Sequence, residues 1–138
     1  MTTELNLDYA EARRAIDAIM AEVTRRAKAA VIAVADSHGE LIALARMDGA
    51  PFSSINVASN KAFTAARAGK PSFDVGAKVR HPEHGFDISY YGDPRYCGWG
   101  GGVPVKKDGK IVGSVAVSGL PQEEDMEVVQ LGIQAIAL

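Results

Sequence analysis

Most of the side chains that can bind or transform a ligand lie in one segment of this sequence, residues 81–102. The segment holds five of the nine aromatic residues, the only cysteine and two of the three histidines. Its rings can form an aromatic pocket that stacks on a planar ligand and hydrogen-bonds the ligand's rim. The candidate pocket residues are Tyr90, Tyr91, Tyr96 and Trp99. The alternative is that these rings close one end of the core or form a contact between subunits.

The same segment carries three side chains that can transfer protons or act as nucleophiles. His81 and His84 are neutral in part at pH 7, which suits a general acid or base, or an axial ligand to a bound iron. Pro82 argues against a regular helix across them and the spacing supplies no third ligand, so we predict no dedicated metal site. Two solvated loop histidines are the alternative. Cys97 is either a thiolate nucleophile or, as is commoner for a free cysteine, a buried inert side chain.

Glycines surround the only tryptophan of the segment. Gly100 and Gly101 stand between Trp99 and the next apolar run, where their N–H groups can approach an anionic ligand. No Gly-Lys-Ser/Thr sequence follows, and the run leads into a strand, so the pattern is not that of a phosphate-binding loop. The structural alternative is a bulge or tight bend at the entrance of the strand.

Three charged residues follow apolar runs elsewhere in the chain, namely Arg46, Asp48 and Lys61. Their positions predict that they converge at one end of a sheet, where Arg46 and Lys61 would bind a carboxylate. Alternatively, Arg46 and Asp48 form a salt bridge that fixes a turn.

Hydrophobic periodicity and turn residues predict the elements that position these side chains. We expect a helix over 8–27 with a capping box from Asp8 and Glu11. The remaining predicted elements are strands 30–35 and 40–47 joined by a tight hairpin, a helix over 55–68 capped by Ser53 or Ser54, a short helix over 72–80, a loop over 81–100, strands 103–106 and 110–118 around Asp108-Gly109, and a last helix after Pro121. This order predicts an α+β domain with an antiparallel sheet of four or five strands covered by helices.

Composition limits the classes of function. At 138 residues, 14.6 kDa and 47% hydrophobic residues, the chain is expected to form a single domain over 1–138. A net charge of -2 predicts neither a nucleic-acid nor a membrane partner. With one cysteine and no apolar leader, we expect a soluble cytoplasmic protein. The last helix is apolar on more than one face, including Val128, Leu131 and Leu138, which predicts a homo-oligomer.

Four stretches of the chain resemble the GlcG/HbpS family of haem-degrading, DUF336-type domains. They are VADSHGELIALARMDGA, SINVASNKAFTAA, GGVPVKKDGKIVGSVAVSG and EEDMEVVQLGIQAI. The resemblance implies a profilin-like, three-layer α/β/α fold with the antiparallel sheet in the middle, and dimers that can assemble further. Its members include haem-binding or haem-degrading sensors, a domain that accompanies a corrinoid adenosyltransferase, and proteins that accompany catabolic pathways for small oxygenated compounds.

The chain departs from this family's pattern in two places. Its first helix has no histidine, so the axial ligand that some haem-binding relatives place there is not carried over. The segment HPEHGFDISYYGDPRYCGWG is more elaborate than the connection typical of the family, which points to a specialised pocket.

Two functions from different classes follow from these observations. The first is a binding protein for a small ligand, such as haem or another planar or carboxylate-bearing compound, held by residues of the aromatic segment together with Arg46 and Lys61. The second is a cofactor-independent isomerase, hydratase or lyase acting on a small oxygenated catabolic intermediate. In the second, His84 or Tyr91 would transfer protons, and Arg46, Lys61 or Arg95 would hold a carboxylate or a developing oxyanion.

Overall fold

Helices cover both faces of a four-stranded antiparallel sheet in this computed structural model, which describes residues 1–137. The elements are α1 (Tyr9–Arg25), β1 (Val31–Asp36), β2 (Leu41–Arg46), α2 (Ser53–Ala68), α3 (Ser72–Val79), a 3-10 helix (Ile88–Tyr91), β3 (Gly102–Lys107), β4 (Lys110–Ser118) and α4 (Gln122–Ile136). The predicted α+β class is therefore confirmed, with four strands. Within residues 1–137, no helix has both the length and the apolar composition needed to cross a bilayer.

The strand order is β2-β1-β4-β3, and every neighbouring pair is antiparallel. Both hairpin turns lie at one end of the sheet, where Asp36 pairs with Gly113. At the opposite end, Val31 lies between Arg46 of β2 and Ser118 of β4. We call this the Ser118 end. The chain leaves β2 and β4 there and continues into α2 and α4, so the first turns of both helices lie near it.

Two separate clusters of apolar side chains hold the three layers together. On one face of the sheet, Ile32 and Val115 pack with α1 and α4. On the other face, Ala33 and Ala116 pack with alanines of α2, whose small side chains allow the helix to lie close to the strands. Because β1 is buried on both faces, its sequence is continuously apolar instead of alternating.

The ends of α1 follow from its sequence with one correction. The predicted capping box is confirmed: the Asp8 side chain accepts from the Glu11 N–H, and the Glu11 side chain accepts from the Asp8 N–H, both at 2.8 Å. The helix ends at Arg25, two residues before the predicted end. Ala27 adopts φ 56°, a left-handed conformation that interrupts the helical path.

The start of α2 also differs from the sequence prediction. The helix begins at Ser53, two residues early, and its N-cap is Phe52, with no side-chain cap hydrogen bond. The prediction that the Ser53 or Ser54 side chain caps this helix was therefore wrong. The Pro51 carbonyl accepts the Ser54 N–H at 3.0 Å, so the preceding turn leads directly into the helix. At the other end Gly69 adopts φ 69° and stops the helix as predicted.

The apolar surface of α4 is largely used inside the chain. Val128 and Val129 are both fully buried, because α4 packs against α1 as well as against the sheet. Leu131 remains 36% exposed. Leu138 lies outside the described residues. Packing within the chain thus explains most of the apolar surface of α4 that led us to predict an oligomer.

Candidate functional site

A cleft of about 430 Å³ opens at the Ser118 end of the sheet, between the first turns of α2 and α4. The turn before α2, the turn after β4 and the aromatic segment complete its walls. Residues that line it include Pro51, Ser54, Lys61, Trp99, Ser118 and Asp125. Concave sites of this size are typical of sites for small molecules, and the lining of this one is about half polar. We call it the Lys61 cleft.

A buried ion pair lines the Lys61 cleft. Lys61 and Asp125 are each only 2% exposed, and the Lys61 Nζ lies 3.2 Å from the Asp125 Oδ2. The same Nζ donates to the Val117 carbonyl oxygen at 2.9 Å. An ammonium group has three N–H donors. Two of them have acceptors within residues 1–137, and the third has none among these residues.

Asp125 titrates in an unusual range for a carboxyl group. Burial raises its pKa to about 6, although the neighbouring Lys61 charge and the Leu120 N–H oppose this shift. The Leu120 N–H donates to Oδ1 at 3.1 Å, which leaves Oδ2 for Lys61. A carboxyl group that titrates near neutral pH inside a cleft is a candidate functional group.

The N-terminus of α2 adds positive potential to the same cleft. Pro51, Ser53 and Ser54 line the cleft, and the first turn of α2 has no acidic residue and no side-chain cap. The Ser54 and Ile55 N–H groups donate to the Pro51 and Phe52 carbonyl oxygens. The dipole at such a helix end still favours a negative charge. The first turn of α4 has the opposite character, since Glu123 and Glu124 neutralise its positive end. Lys61 and the start of α2 are thus the features that attract an anion.

Hydrogen bonds from two helices fix the part of the aromatic segment that borders the Lys61 cleft. Ser72 of α3 donates to the Trp99 carbonyl oxygen at 2.7 Å and accepts from the Gly102 N–H at 2.9 Å. Gln122 of α4 accepts the Gly100 N–H at 2.9 Å. Trp99 is therefore held at its backbone while its side chain stays 61% exposed.

A second hollow of about 450 Å³ is also lined by Trp99. Its walls are mostly apolar and include Phe86, Ile88, Tyr96 and Cys97, with Arg80 as the cationic group. We call it the Cys97 hollow. Because Trp99 lines both sites, one exposed ring borders a polar cleft and an apolar hollow.

The structure separates the residues that we predicted to bind a carboxylate. Lys61 lines the cleft, whereas the guanidinium of Arg46 lies 5.7 Å from the centroid of the Phe52 ring. Within residues 1–137, Arg46 and Asp48 form no ion pair, so the alternative interpretation of Asp48 is wrong. β2 does end at the Ser118 end, but Arg46 does not line the cleft.

The predicted aromatic pocket is divided among several environments. Tyr96 and Trp99 line the Cys97 hollow. Tyr91 stacks on Tyr96 with ring centroids 4.4 Å apart, and Tyr96 contacts the buried Phe63 edge-on at 5.2 Å. Tyr90 is 81% exposed and lines neither site. The rings thus extend from the core to the surface instead of surrounding one ligand.

His81 and His84 lie together at the surface. Their rings stack at 4.9 Å, and the His81 Nδ1 accepts the N–H groups of Glu83 and His84. Neither histidine lines the Lys61 cleft or the Cys97 hollow. Among residues 1–137, no three His, Cys, Asp or Glu side chains are grouped to hold a metal ion.

Arg95, Gly100 and Gly101 were predicted to contact a ligand, but in the structure they make contacts within the protein. Arg95 pairs with Asp93 at 3.0 Å and Glu40 at 2.9 Å, and its guanidinium lies 3.9 Å from the Phe63 ring centroid. Gly100 donates its N–H to Gln122, as described above. Gly101 has φ 130°, and a Cβ there would lie 2.9 Å from the Lys61 Nζ. Gly101 thus allows the backbone to approach the buried lysine.

Sequence reasoning missed several residues that line the cleft, notably Asp125, Ser54 and Gln122. Asp125 is one of three acidic residues in the first turn of α4, a position that by itself indicates only a favourable start of the helix. The helical spacing could have identified Asp125 as buried. The apolar Val129 follows four residues later and is buried, so Asp125 lies on the same inner face of the helix. Its partner, Lys61, is 64 residues away in sequence.

The fold and the cleft together define a class, namely three-layer α/β/α domains with an open cleft at the end of an antiparallel sheet. The chain belongs to the HbpS-like family, described as haem-degrading protein HbpS-like, whose model matches residues 7–134. This confirms the resemblance found in the sequence.

Individual relatives agree with this assignment. Protein GlcG of Escherichia coli K12 is 33% identical over 118 residues, covering 86% of this chain and 85% of the relative. The crystal structure of Klebsiella pneumoniae protein ORFY superposes with a TM-score of 0.93 at 26% identity, covering 100% of this chain and 96% of that chain. The PduOC–haem complex superposes with a TM-score of 0.89 at 23% identity, covering 96% of each chain, which shows a common fold.

Proposed function

We propose that this protein binds a small organic carboxylate in the Lys61 cleft. The observation that carries the proposal is the buried Lys61 ammonium, which retains one free N–H donor in a cleft bordered by the N-terminus of α2. Burying an ammonium group is costly unless charge and hydrogen bonds compensate it. Asp125 and the Val117 carbonyl oxygen supply part of this compensation, and a ligand carboxylate would accept the third hydrogen bond. We place this binding activity in the cytoplasm, as the sequence composition predicts.

The remaining walls favour an organic ligand over a bare inorganic anion. Val57, Leu120 and the exposed Trp99 add apolar surface next to the polar floor. A carboxylate group can therefore face Lys61 while the rest of the molecule contacts the tryptophan ring. From the sequence we expected a planar or a carboxylate-bearing ligand. A compound with both features would use both parts of this cleft.

The experiment that tests this function is calorimetric titration with acetate, propionate and benzoate, each compared with its neutral amide. We expect saturable binding of at least one carboxylate and at least about tenfold weaker binding of its amide, because a hydrogen bond to a charged group contributes about 1.5–3 kcal/mol. Lys61→Met should abolish the difference between acid and amide, whereas Lys107→Met, at the exposed end of β3, should preserve it. Equal binding of acid and amide to the unmodified protein would contradict the proposal.

A second candidate is a planar tetrapyrrole in the Cys97 hollow. The observation that favours it is an apolar hollow with Arg80 at its edge and the Cys97 and Tyr96 side chains in its wall. Cysteine thiolate and tyrosine can each ligate haem iron, and an arginine can pair with a propionate. The likeness in fold to PduOC, which was crystallised with haem, adds support. These residues fit haem in type, and its iron would supply redox chemistry.

Haemin titration distinguishes the two candidates. A Soret band that shifts on addition of haemin, and that changes in Cys97→Ser or Tyr96→Phe, would support the hollow as a haem site. The variant His84→Ala is the matched control, since His84 lies outside the hollow. An unchanged haemin spectrum in the presence of the protein would exclude this second candidate.

The alternative of an acid–base enzyme receives less support. His84 lines neither site, and Tyr91 stacks on Tyr96. If a small oxygenated catabolic intermediate reacts in the Lys61 cleft, then the proton donor and acceptor nearest to it are Lys61 and Asp125.

A further inference from the structure

The two charges in the Lys61 cleft cancel each other. Asp125 is as buried as Lys61, and its Oδ2 lies 3.2 Å from the only cationic atom that lines the cleft. While Asp125 is ionised, an entering anion finds no net positive charge in this pair. It also meets the negative Asp125 Oδ2 next to the Lys61 donor that it needs. Two negative charges close together repel strongly in a buried site.

We propose that a carboxylate ligand enters the Lys61 cleft together with one proton, which Asp125 takes up. This inference rests on the proposed function and adds a regulation by pH to the same site. Before binding, the buried charges are one positive and one negative. After binding, Lys61 pairs with the ligand carboxylate and Asp125 is neutral, so the net charge of the site is unchanged.

The hydrogen bonds of Asp125 are compatible with both of its protonation states. Oδ1 accepts the Leu120 N–H at 3.1 Å and can continue to do so. Oδ2, once protonated, becomes an O–H donor that can turn to the ligand carboxylate. Since burial already raises the pKa of Asp125 to about 6, a second negative charge nearby would raise that pKa further.

The charged groups around Asp125 favour this assignment. Lys61 faces it from α2, and Glu124 acts on it from its own helix. Glu124 is itself paired with Lys28 at 2.5 Å and with Arg26 at 3.5 Å, both from the region where α1 ends. The group of β4 that contacts Lys61 is the Val117 carbonyl oxygen, which is not titratable. Lys61 and Asp125 are the only titratable side chains among the residues that line the cleft.

Proton uptake is measured directly by calorimetry in two buffers that differ in ionisation enthalpy. We would titrate each member of the acetate, propionate and benzoate set that binds, between about pH 6 and pH 8, where these acids stay ionised. The expected uptake approaches about one proton per ligand, with affinity falling by up to about tenfold per pH unit as the pH rises. Asp125→Asn should bind without proton uptake and more tightly than the unmodified protein at the upper pH. Glu123→Gln removes an equal charge from an exposed position of the same turn and should leave uptake unchanged.

The possible failures are distinct. Carboxylate binding with pH-independent affinity and no proton uptake would overturn this inference while leaving the proposed function intact. Absence of binding by all three carboxylates at every pH would overturn both. If Asp125→Asn does not fold, infrared difference spectra of the unmodified protein replace it: a new protonated-carboxyl band on ligand binding supports the inference, and no such band overturns it.

Discussion

The buried ammonium group of Lys61 depends on one charged partner, Asp125. Its ammonium contacts a carbonyl oxygen and the Asp125 carboxylate, and both charged side chains are almost fully removed from solvent. Breaking a buried pair by removing one member leaves the other charge uncompensated, which commonly costs about 3–5 kcal/mol. The stability of the protein should therefore report on this pair even without a ligand.

Lys61→Met should lower the free energy of unfolding by about 3 kcal/mol near neutral pH, and by less in acid. In this variant the pKa of Asp125 rises above its already raised value of about 6, because the compensating charge is lost. A carboxyl whose pKa is higher in the folded than in the unfolded state stabilises the fold at low pH and loses that contribution as the pH rises through the folded pKa. Urea denaturation at about pH 5 and pH 8 checks this, with Lys107→Met as the control. A loss of equal size at both pH values would contradict the prediction.

At the residue scale, the sequence could identify Lys61 as a candidate but not its partner. Positively charged residues next to apolar runs are visible in a sequence, and Lys61 was selected for that reason. Arg46 met the same criterion, yet it lies over Phe52 outside the cleft. The difference depends on the face of β2 that carries Arg46, on the face of α2 that carries Lys61 and on the contact of Lys61 with Asp125 of α4, and these cannot be derived from local pattern alone.

At the element scale, α3 positions Trp99 through an unusually close backbone approach. A Cβ added at Gly76 would lie 1.9 Å from the Gly98 carbonyl oxygen. This contact and the Ser72 hydrogen bonds attach the aromatic segment to α3. The position of Trp99, and hence one wall of the Lys61 cleft, depends on a glycine in a neighbouring helix.

Gly76→Ala should therefore destabilise the protein by about 1–3 kcal/mol, as overpacking of a close contact does, and should weaken carboxylate binding. Trp99 is the only tryptophan, so its fluorescence reports directly on the displaced segment. Ala77→Val, which adds bulk to the exposed face of the same helix, is the matched control. An unchanged Trp99 emission spectrum in Gly76→Ala would show that the segment is positioned by other contacts.

The contact between α1 and α4 is reinforced by a cluster of charges near the end of α1. Arg26, which follows α1 directly, pairs with Glu22 of that helix and with Glu127 of α4, and Arg25 also pairs with Glu22. Hydrogen bonds from Arg25 and Arg26 lower the pKa of Glu22 to about 2. The cluster joins the two helices that cover one face of the sheet.

Glu22→Gln should destabilise the protein at neutral pH but not in strong acid. A carboxylate whose pKa is lowered on folding contributes stability above its ordinary value of 4.5, and this contribution is lost as the pH falls through the folded value of about 2. Thermal unfolding of the variant and the unmodified protein across this range measures the difference. A gap between their midpoints that persists below the folded pKa would show that Glu22 acts by something other than its charge.

The elements were largely predictable because their signals are local. The capping box of α1, the two hairpin turns and Gly69 at the end of α2 all lie within a few residues of the structure they determine. Errors occurred where a neighbouring turn changed an end, as at Ser53, or where a residue adopted a left-handed conformation, as at Ala27. The path of the chain between residues 81 and 100 could not be predicted, since it is determined by contacts with α2, α3 and α4.

At the scale of the whole molecule, the family and the layer order could be predicted from the sequence, whereas the assembly remains a prediction. Large side chains are exposed at Phe52, Tyr90 and Trp99, although the apolar faces of α4 are mostly buried within the chain. Aromatic residues are enriched in protein–protein interfaces relative to the rest of the surface.

We expect light scattering to give the mass of a dimer or a larger homo-oligomer. Contacts at Phe52 would lie next to the cleft, because Phe52 precedes the first turn of α2. Phe52→Ser should then reduce the average mass at low protein concentration, whereas Phe73→Ser, in the half-buried part of α3, tests for a general loss of folding. A strictly monomeric mass at all concentrations would contradict the prediction.

The most direct test of carboxylate binding at Lys61 is a crystal structure of the protein with benzoate. We predict a carboxylate oxygen within hydrogen-bond distance of the Lys61 Nζ, about 2.7–3.2 Å, with the benzoate ring next to Trp99. Benzoate bound in the Cys97 hollow with Lys61 still paired only with Asp125 and Val117, or a cleft that holds none of benzoate, acetate and propionate when each is supplied at saturating concentration, would contradict carboxylate binding at Lys61.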